Sequence, residues 1–103
     1  MNLPGLAPLR FIETLKGLPF VEAIYLYGSR AHGTHGPRAD IDLAIWCPGA
    51  TPGEWRRVLE IVEDADTLLE IDCLRLDAEP ETSRLRRHIE QDRVVIHVRN
   101  PGA

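Results

Sequence analysis

The stretch Asp40-Ile41-Asp42-Leu43-Ala44-Ile45-Trp46 constrains this chain more than any other. It begins with alternating acidic and apolar residues and then becomes continuously apolar, the pattern of a strand whose start meets solvent and whose end is buried on both faces. A strand covered on both faces needs a layer above and a layer below, which points to helices packed on a sheet. Pro48-Gly49 closes the run.

The remaining segments supply those layers. Pro8 to Lys16 sets Leu and Ile at helical spacing and Gly17 stops it; Phe20 to Tyr27 alternates as a strand that ends at Gly28-Ser29. Ser29 to Ala39 holds Gly33, Gly36 and Pro37 and reads as a loop or at most one helical turn. Thr51 is a good N-cap, Pro52 suits the first helical position, and Trp55, Val58, Leu59 and Val62 recur at helical spacing to Asp64. Leu68 to Leu76 reads as a strand, Pro80 to Asp92 as a helix with Leu85 and Ile89 inward, and Arg93 to Val98 as a last strand. The expected fold is therefore α/β, a mixed sheet of about four strands with helices packed against it. At 103 residues it forms a single domain, 1–103, with loose ends at 1–6 and 100–103.

Charge narrows the choice of partner. The formal net charge is −4 and no long Lys or Arg run exists, which argues against direct capture of nucleic acid through its phosphates. No apolar run reaches the roughly 18 residues of a membrane span. Cys47 and Cys73 lie singly in strand-like segments without the spacing of a metal or redox site, so both are expected to be reduced core residues, and the expected address is the cytoplasm.

The chemistry concentrates at strand ends. Asp40 and Asp42, two apart in a strand, project to one side with Cα atoms roughly 6.5 to 7 Å apart. In Glu70-Ile71-Asp72-Cys73, Ile71 and Cys73 can face the core while Asp72 faces the other way, and a neighbouring strand would bring this third carboxylate to the first two. Clustered carboxylates repel, and a hard cation such as Mg²⁺ or Mn²⁺ relieves that conflict while binding substrate phosphates. Gly28-Ser29 follows a buried strand, where exposed N–H groups and a hydroxyl can cradle phosphate oxygens. A lone Asp-X-Asp is usually a solvated strand end and a lone Gly-Ser an ordinary turn; the combination in this context is what carries weight.

Gly28-Ser29-Arg30-Ala31-His32-Gly33, followed ten residues after the serine by Asp40-Ile41-Asp42-Leu43, resembles the signature of the polymerase-beta-like nucleotidyltransferase superfamily. The resemblance is to its minimal members, small proteins often paired with a HEPN-domain protein as antitoxin and toxin, and it extends over nearly the whole chain. It implies that Asp40 and Asp42 bind metal, that Asp72 completes the catalytic metal site and orients or deprotonates the attacking hydroxyl, and that Gly28 and Ser29 hold the triphosphate of ATP with Arg30 nearby. It further implies transfer of AMP to a tyrosine of the HEPN partner, which is thereby silenced. Ala39, His32 and Gly36 depart from the usual pattern, where serine, a basic residue and arginine are common; the three aspartates are intact.

Other polar residues have simpler accounts. His32, His35, His88 and His97 lack the spacing of a zinc site, and Arg84, Arg86 and Arg87 sit among Glu81, Glu90 and Asp92 as a solvated helix face. Trp46 and Trp55 occupy packing positions. The rival to an enzyme is a binding module that neutralises its partner by covering its active surface.

Overall fold

The computed structural model describes residues 10–28, 31, 33 and 40–99. Ser29, Arg30, His32, His35, Gly36, Ala39 and the expected loose ends lie outside the described residues. Among the described residues, three α-helices, four strands and a 3₁₀ turn follow one another: α1 (Arg10–Lys16), β1 (Ala23–Tyr27), β2 (Ile41–Trp46), α2 (Pro52–Glu63), β3 (Ile71–Arg75), the 3₁₀ turn (Leu76–Ala78), α3 (Arg84–Asp92) and β4 (Val94–Val98). The sheet order is β3-β2-β1-β4. β2 and β3 run parallel, whereas β1 pairs antiparallel with both β2 and β4. This is the mixed four-stranded α/β architecture that the alternation of patterns predicts.

Both faces of the sheet are covered, as the apolar end of β2 requires. On one, Ile24, Leu26, Ile41, Leu43 and Ile45 pack with Phe11, Ile12 and Leu15 of α1 and Val58 and Ile61 of α2. On the other, Ala44 packs with Leu76 and Ile89, flanked by Tyr25, Tyr27, Trp46 and Leu74. Each fully buried Ile or Leu contributes about 1.5–3 kcal/mol relative to exposure.

Local chemistry explains the helix starts. Thr51 and Glu54 form a reciprocal cap: the Glu54 N–H donates to Thr51 Oγ1 at 3.1 Å and the Thr51 N–H donates to Glu54 Oε1 at 2.8 Å. At α3 the Arg86 N–H donates to Ser83 Oγ at 3.2 Å. The first helix is capped from a distance, because the Arg10 and Phe11 N–H groups donate to the two oxygens of Asp66 at 3.1 and 3.2 Å.

Several boundaries and facings differ from the sequence reading. β1 begins at Ala23 because the Val21 N–H bonds Leu18 O in a turn at 3.1 Å. β3 begins at Ile71: the Leu69 N–H bonds Thr67 Oγ1 at 3.1 Å, bending the chain and leaving Leu68 in solvent. A turn closed by Ser83 N–H to Pro80 O delays α3 to Arg84. In α3, Leu85 is exposed and Arg86 takes the inward place, its guanidinium 5.2 Å from the centre of the Trp46 ring. In α2 the buried stripe is Val58 and Ile61, with Leu59 turned outward.

At the far end of β2 a polar knot fixes the turn into α2. Arg75 donates through Nε to Asp77 Oδ2 at 2.8 Å and through Nη2 to the carbonyls of Cys47 and Ala50 at 3.1 and 3.0 Å. Asp77 Oδ1 accepts from the Cys47 N–H at 2.9 Å. The near ends of β2 and β3 and the last residue of β1 are thus held by a sheet anchored at its other end.

Candidate active site

Register brings Asp42 and Asp72 together, while Ser29 and Arg30 lie outside the described residues. Asp42 is the cross-strand partner of Tyr27 in the antiparallel β1/β2 ladder and of Asp72 in the parallel β2/β3 ladder. Cross-strand partners point to the same face and adjacent strands lie about 4.8 Å apart. That face is the α3 side, since Ala44 and Leu74, two residues beyond Asp42 and Asp72, pack with Ile89. Ile71 and Cys73 face the opposite cluster, as the strand alternation predicts.

Asp40 stands immediately before β2 and is exposed, as is Asp72; Asp42 is half-buried. The entry to β2 is held to β3 by the Ile41 N–H, which donates to Glu70 O at 2.9 Å.

Gly28 ends β1 with φ +74, a left-handed conformation that side chains disfavour. Contact adds a second demand for glycine. A Cβ at Gly28 would overlap Asp42 Oδ2 and lie 3.2 Å from Asp42 Cγ, so the absent side chain is space the carboxylate uses. The Ala31 N–H closes the turn on Gly28 O at 3.1 Å.

Tyr27 belongs to this site although the sequence reading assigned it only to the strand. Its phenol is pushed up to about 12, first by burial and then by the charges of Asp42 and Asp72. A signal existed: a tyrosine one residue before the Gly-Ser turn, on a strand beside Asp42, must share the acidic end of the sheet.

The residues suit a hard cation better than any other metal. Asp42 and Asp72 offer oxygen donors from neighbouring strands on one face, Asp40 lies at the same strand end, and the phenol of Tyr27 already senses concentrated negative charge. Among the described residues no three His, Cys, Asp or Glu side chains converge into a complete ligand set. Mg²⁺ or Mn²⁺ is commonly held by one or two carboxylates together with waters and substrate phosphates. Thiol chemistry is suppressed: burial pushes Cys73 to about 12, and burial together with the nearby Asp77 charge pushes Cys47 to about 11.

A two-faced mixed sheet with acidic residues at matched strand ends, beside a glycine turn, defines a nucleotidyltransferase-type domain. The family model described as polymerase beta, nucleotidyltransferase matches residues 10–102, and the chain belongs to that family. Among solved structures it is similar to a protein of Sulfolobus solfataricus assigned as a nucleotidyltransferase, with 21% identity and a TM-score of 0.55 over 86% of this chain and 75% of that one. It is also similar to a chain of a toxin-antitoxin structure with AMP-PNP, with 19% identity and a TM-score of 0.63 over 87% of this chain and 73% of that one. At these identities the likeness is one of fold. No curated protein shows significant similarity to the chain. Among the described residues, no helix is long and apolar enough to cross a membrane.

Proposed function

We propose that this protein is a Mg²⁺-dependent nucleotidyltransferase that transfers AMP from ATP to a hydroxyl, a tyrosine of a HEPN-domain toxin, and so acts as a cytoplasmic antitoxin. The observation that carries the chemistry is the register match of Asp42 with Asp72 beside Gly28, whose missing Cβ admits the Asp42 carboxylate. The similarity to a toxin-antitoxin structure with AMP-PNP supports the partner class and the nucleotide.

In this reading Asp40, Asp42 and Asp72 hold the metal, and Gly28 and Ser29 receive the triphosphate with Arg30 alongside. The acceptor oxygen forms a bond to the α-phosphorus, the bond to the bridging oxygen breaks, and pyrophosphate leaves. In this reading Asp72, exposed at its strand end, orients the acceptor hydroxyl and takes its proton. Bound Mg²⁺ supplies charge neutralisation for the phosphoryl oxygens.

The departures of His32, Gly36 and Ala39 from the usual motif favour one second reading, a binding antitoxin that neutralises its partner by complex formation. Intact mass of the HEPN partner, co-expressed with the wild type or with an Asp40→Asn, Asp42→Asn double variant, separates the two. AMP additions with the wild type alone support transfer. An unmodified, inactive partner that still co-purifies with both forms supports the binding antitoxin.

A further inference from the structure

One row of side chains crosses the site end of all four strands. Asp72, Asp42 and Tyr27 are register partners on β3, β2 and β1. On the other side of β1, Val94 pairs with Leu26 in an antiparallel ladder, so Arg93, one residue earlier, stands beside Tyr27. The guanidinium of Arg93 lies 4.2 Å from the centre of the Tyr25 ring. Tyr25 shares the face of Tyr27 by strand alternation. The backbone row therefore runs from two carboxylates to an arginine, whose guanidinium lies one step back along β1, over Tyr25.

Local structure accounts for the backbone of Arg93 and leaves its side chain to be explained. Its N–H donates to Ile89 O at 2.9 Å and ends α3. Arg86 and Arg75 are spoken for by ion pairs with Glu90 and Asp77 at 2.9 and 2.8 Å. Arg93 is exposed, and among the described residues it is the Tyr25 ring that holds its guanidinium. A guanidinium stacked on a ring keeps its N–H donors in plane and directed outward, the geometry that suits phosphate oxygens.

We propose that Arg93 binds the β- and γ-phosphates of the nucleotide, the part that leaves as pyrophosphate. This rests on the nucleotidyltransferase reading of the site. With the carboxylates neutralised by a metal and the phosphate chain held at Gly28, the outer phosphates still carry charge that a cation beyond β1 attracts. Arg93 is two strands from Asp42, about 10 Å between backbones, a gap that a phosphate chain and a long side chain close between them. Charge on Arg93 also stabilises the negative charge that accumulates on departing pyrophosphate.

The test is calorimetric binding of ATP and of AMP, each with Mg²⁺, to the wild type, Arg93→Ala and Arg93→Lys, with thermal melts to verify folding. Loss of charge-assisted hydrogen bonds should weaken ATP binding by about tenfold or more in Arg93→Ala, leave AMP binding unchanged, and have a smaller effect in Arg93→Lys. Equal ATP affinity in wild type and Arg93→Ala, or equal loss for ATP and AMP, would overturn the inference and reduce Arg93 to a packing partner of Tyr25. Failure of the wild type to bind ATP at all would instead remove the nucleotidyltransferase reading, and this inference with it.

Discussion

The carboxylate of Asp42 lies directly against the backbone of Gly28, so that any Cβ at position 28 would occupy the place of Asp42 Oδ2. The relationship couples a turn to a charge: the left-handed backbone at φ +74 and the open space are both required, and only glycine meets both without strain. Gly28→Ala should cost more than about 1 kcal/mol in denaturant unfolding, because strain at positive φ adds to the collision. Displacing the Asp42 carboxylate by about 1 Å should lower nucleotidyl transfer about a hundredfold. A Gly28→Ala protein with wild-type stability and rate would show that the close approach has no role.

Tyr27 reports the charge of the site. Ultraviolet titration of a Tyr25→Phe protein should find the remaining tyrosine ionising near 12, and Asp42→Asn or Asp72→Asn should each move it downward. The folded value lies above the ordinary 10.0, so the proton is held more tightly in the folded chain. The resulting stability is complete below pH 10, and is lost as pH rises from there through about 12. A titration unmoved by either aspartate substitution would separate Tyr27 from the carboxylates.

Arg75 should matter for stability and not for the site, since its partners Asp77, Cys47 and Ala50 all gather at the opposite end of β2. Arg75→Met removes charge-assisted hydrogen bonds and leaves a half-buried Asp77 without its cation, which should cost about 2 kcal/mol or more. ATP affinity measured well below the new unfolding midpoint should be unchanged.

Asp66 joins the start of α1 to the segment after α2. Its carboxyl is held below the ordinary 3.8, chiefly by the Arg10 backbone N–H with help from that of Phe11. A lowered folded value gives stability that is present above the unfolded-chain value and lost as pH falls through the folded one. Asp66→Ala should therefore lower the melting temperature at neutral pH and flatten its decline in acid, measured by circular dichroism. An unchanged acid profile would contradict the long-range cap.

The parts of the fold legible in the sequence are those with a local cause. Thr51, Pro52 and Glu54 specify the start of α2 within a few residues, and the Asp40 to Trp46 pattern specifies β2 and the need for two covering layers. The pairing of Asp42 with Asp72 was conditional on neighbouring strands, a condition the parallel β2/β3 ladder meets. Tertiary partners were not legible. Arg86 turned inward in place of Leu85 because Trp46 offered its ring, and Asp66 became a cap because folding carried it to Arg10 and Phe11. Arg93 and Tyr27 looked like ordinary strand residues until register set them in one row with the aspartates.

Binding of Mn²⁺ in the presence of ATP, followed by water-proton relaxation, tests most directly whether this row is a metal and nucleotide site. The wild type should form a ternary complex, and Asp42→Asn and Asp72→Asn should each weaken Mn²⁺ binding by about tenfold or more, as loss of a carboxylate ligand from a hard-cation site requires. Folded variants that bind Mn²⁺ and ATP as the wild type does would contradict the assignment of these carboxylates.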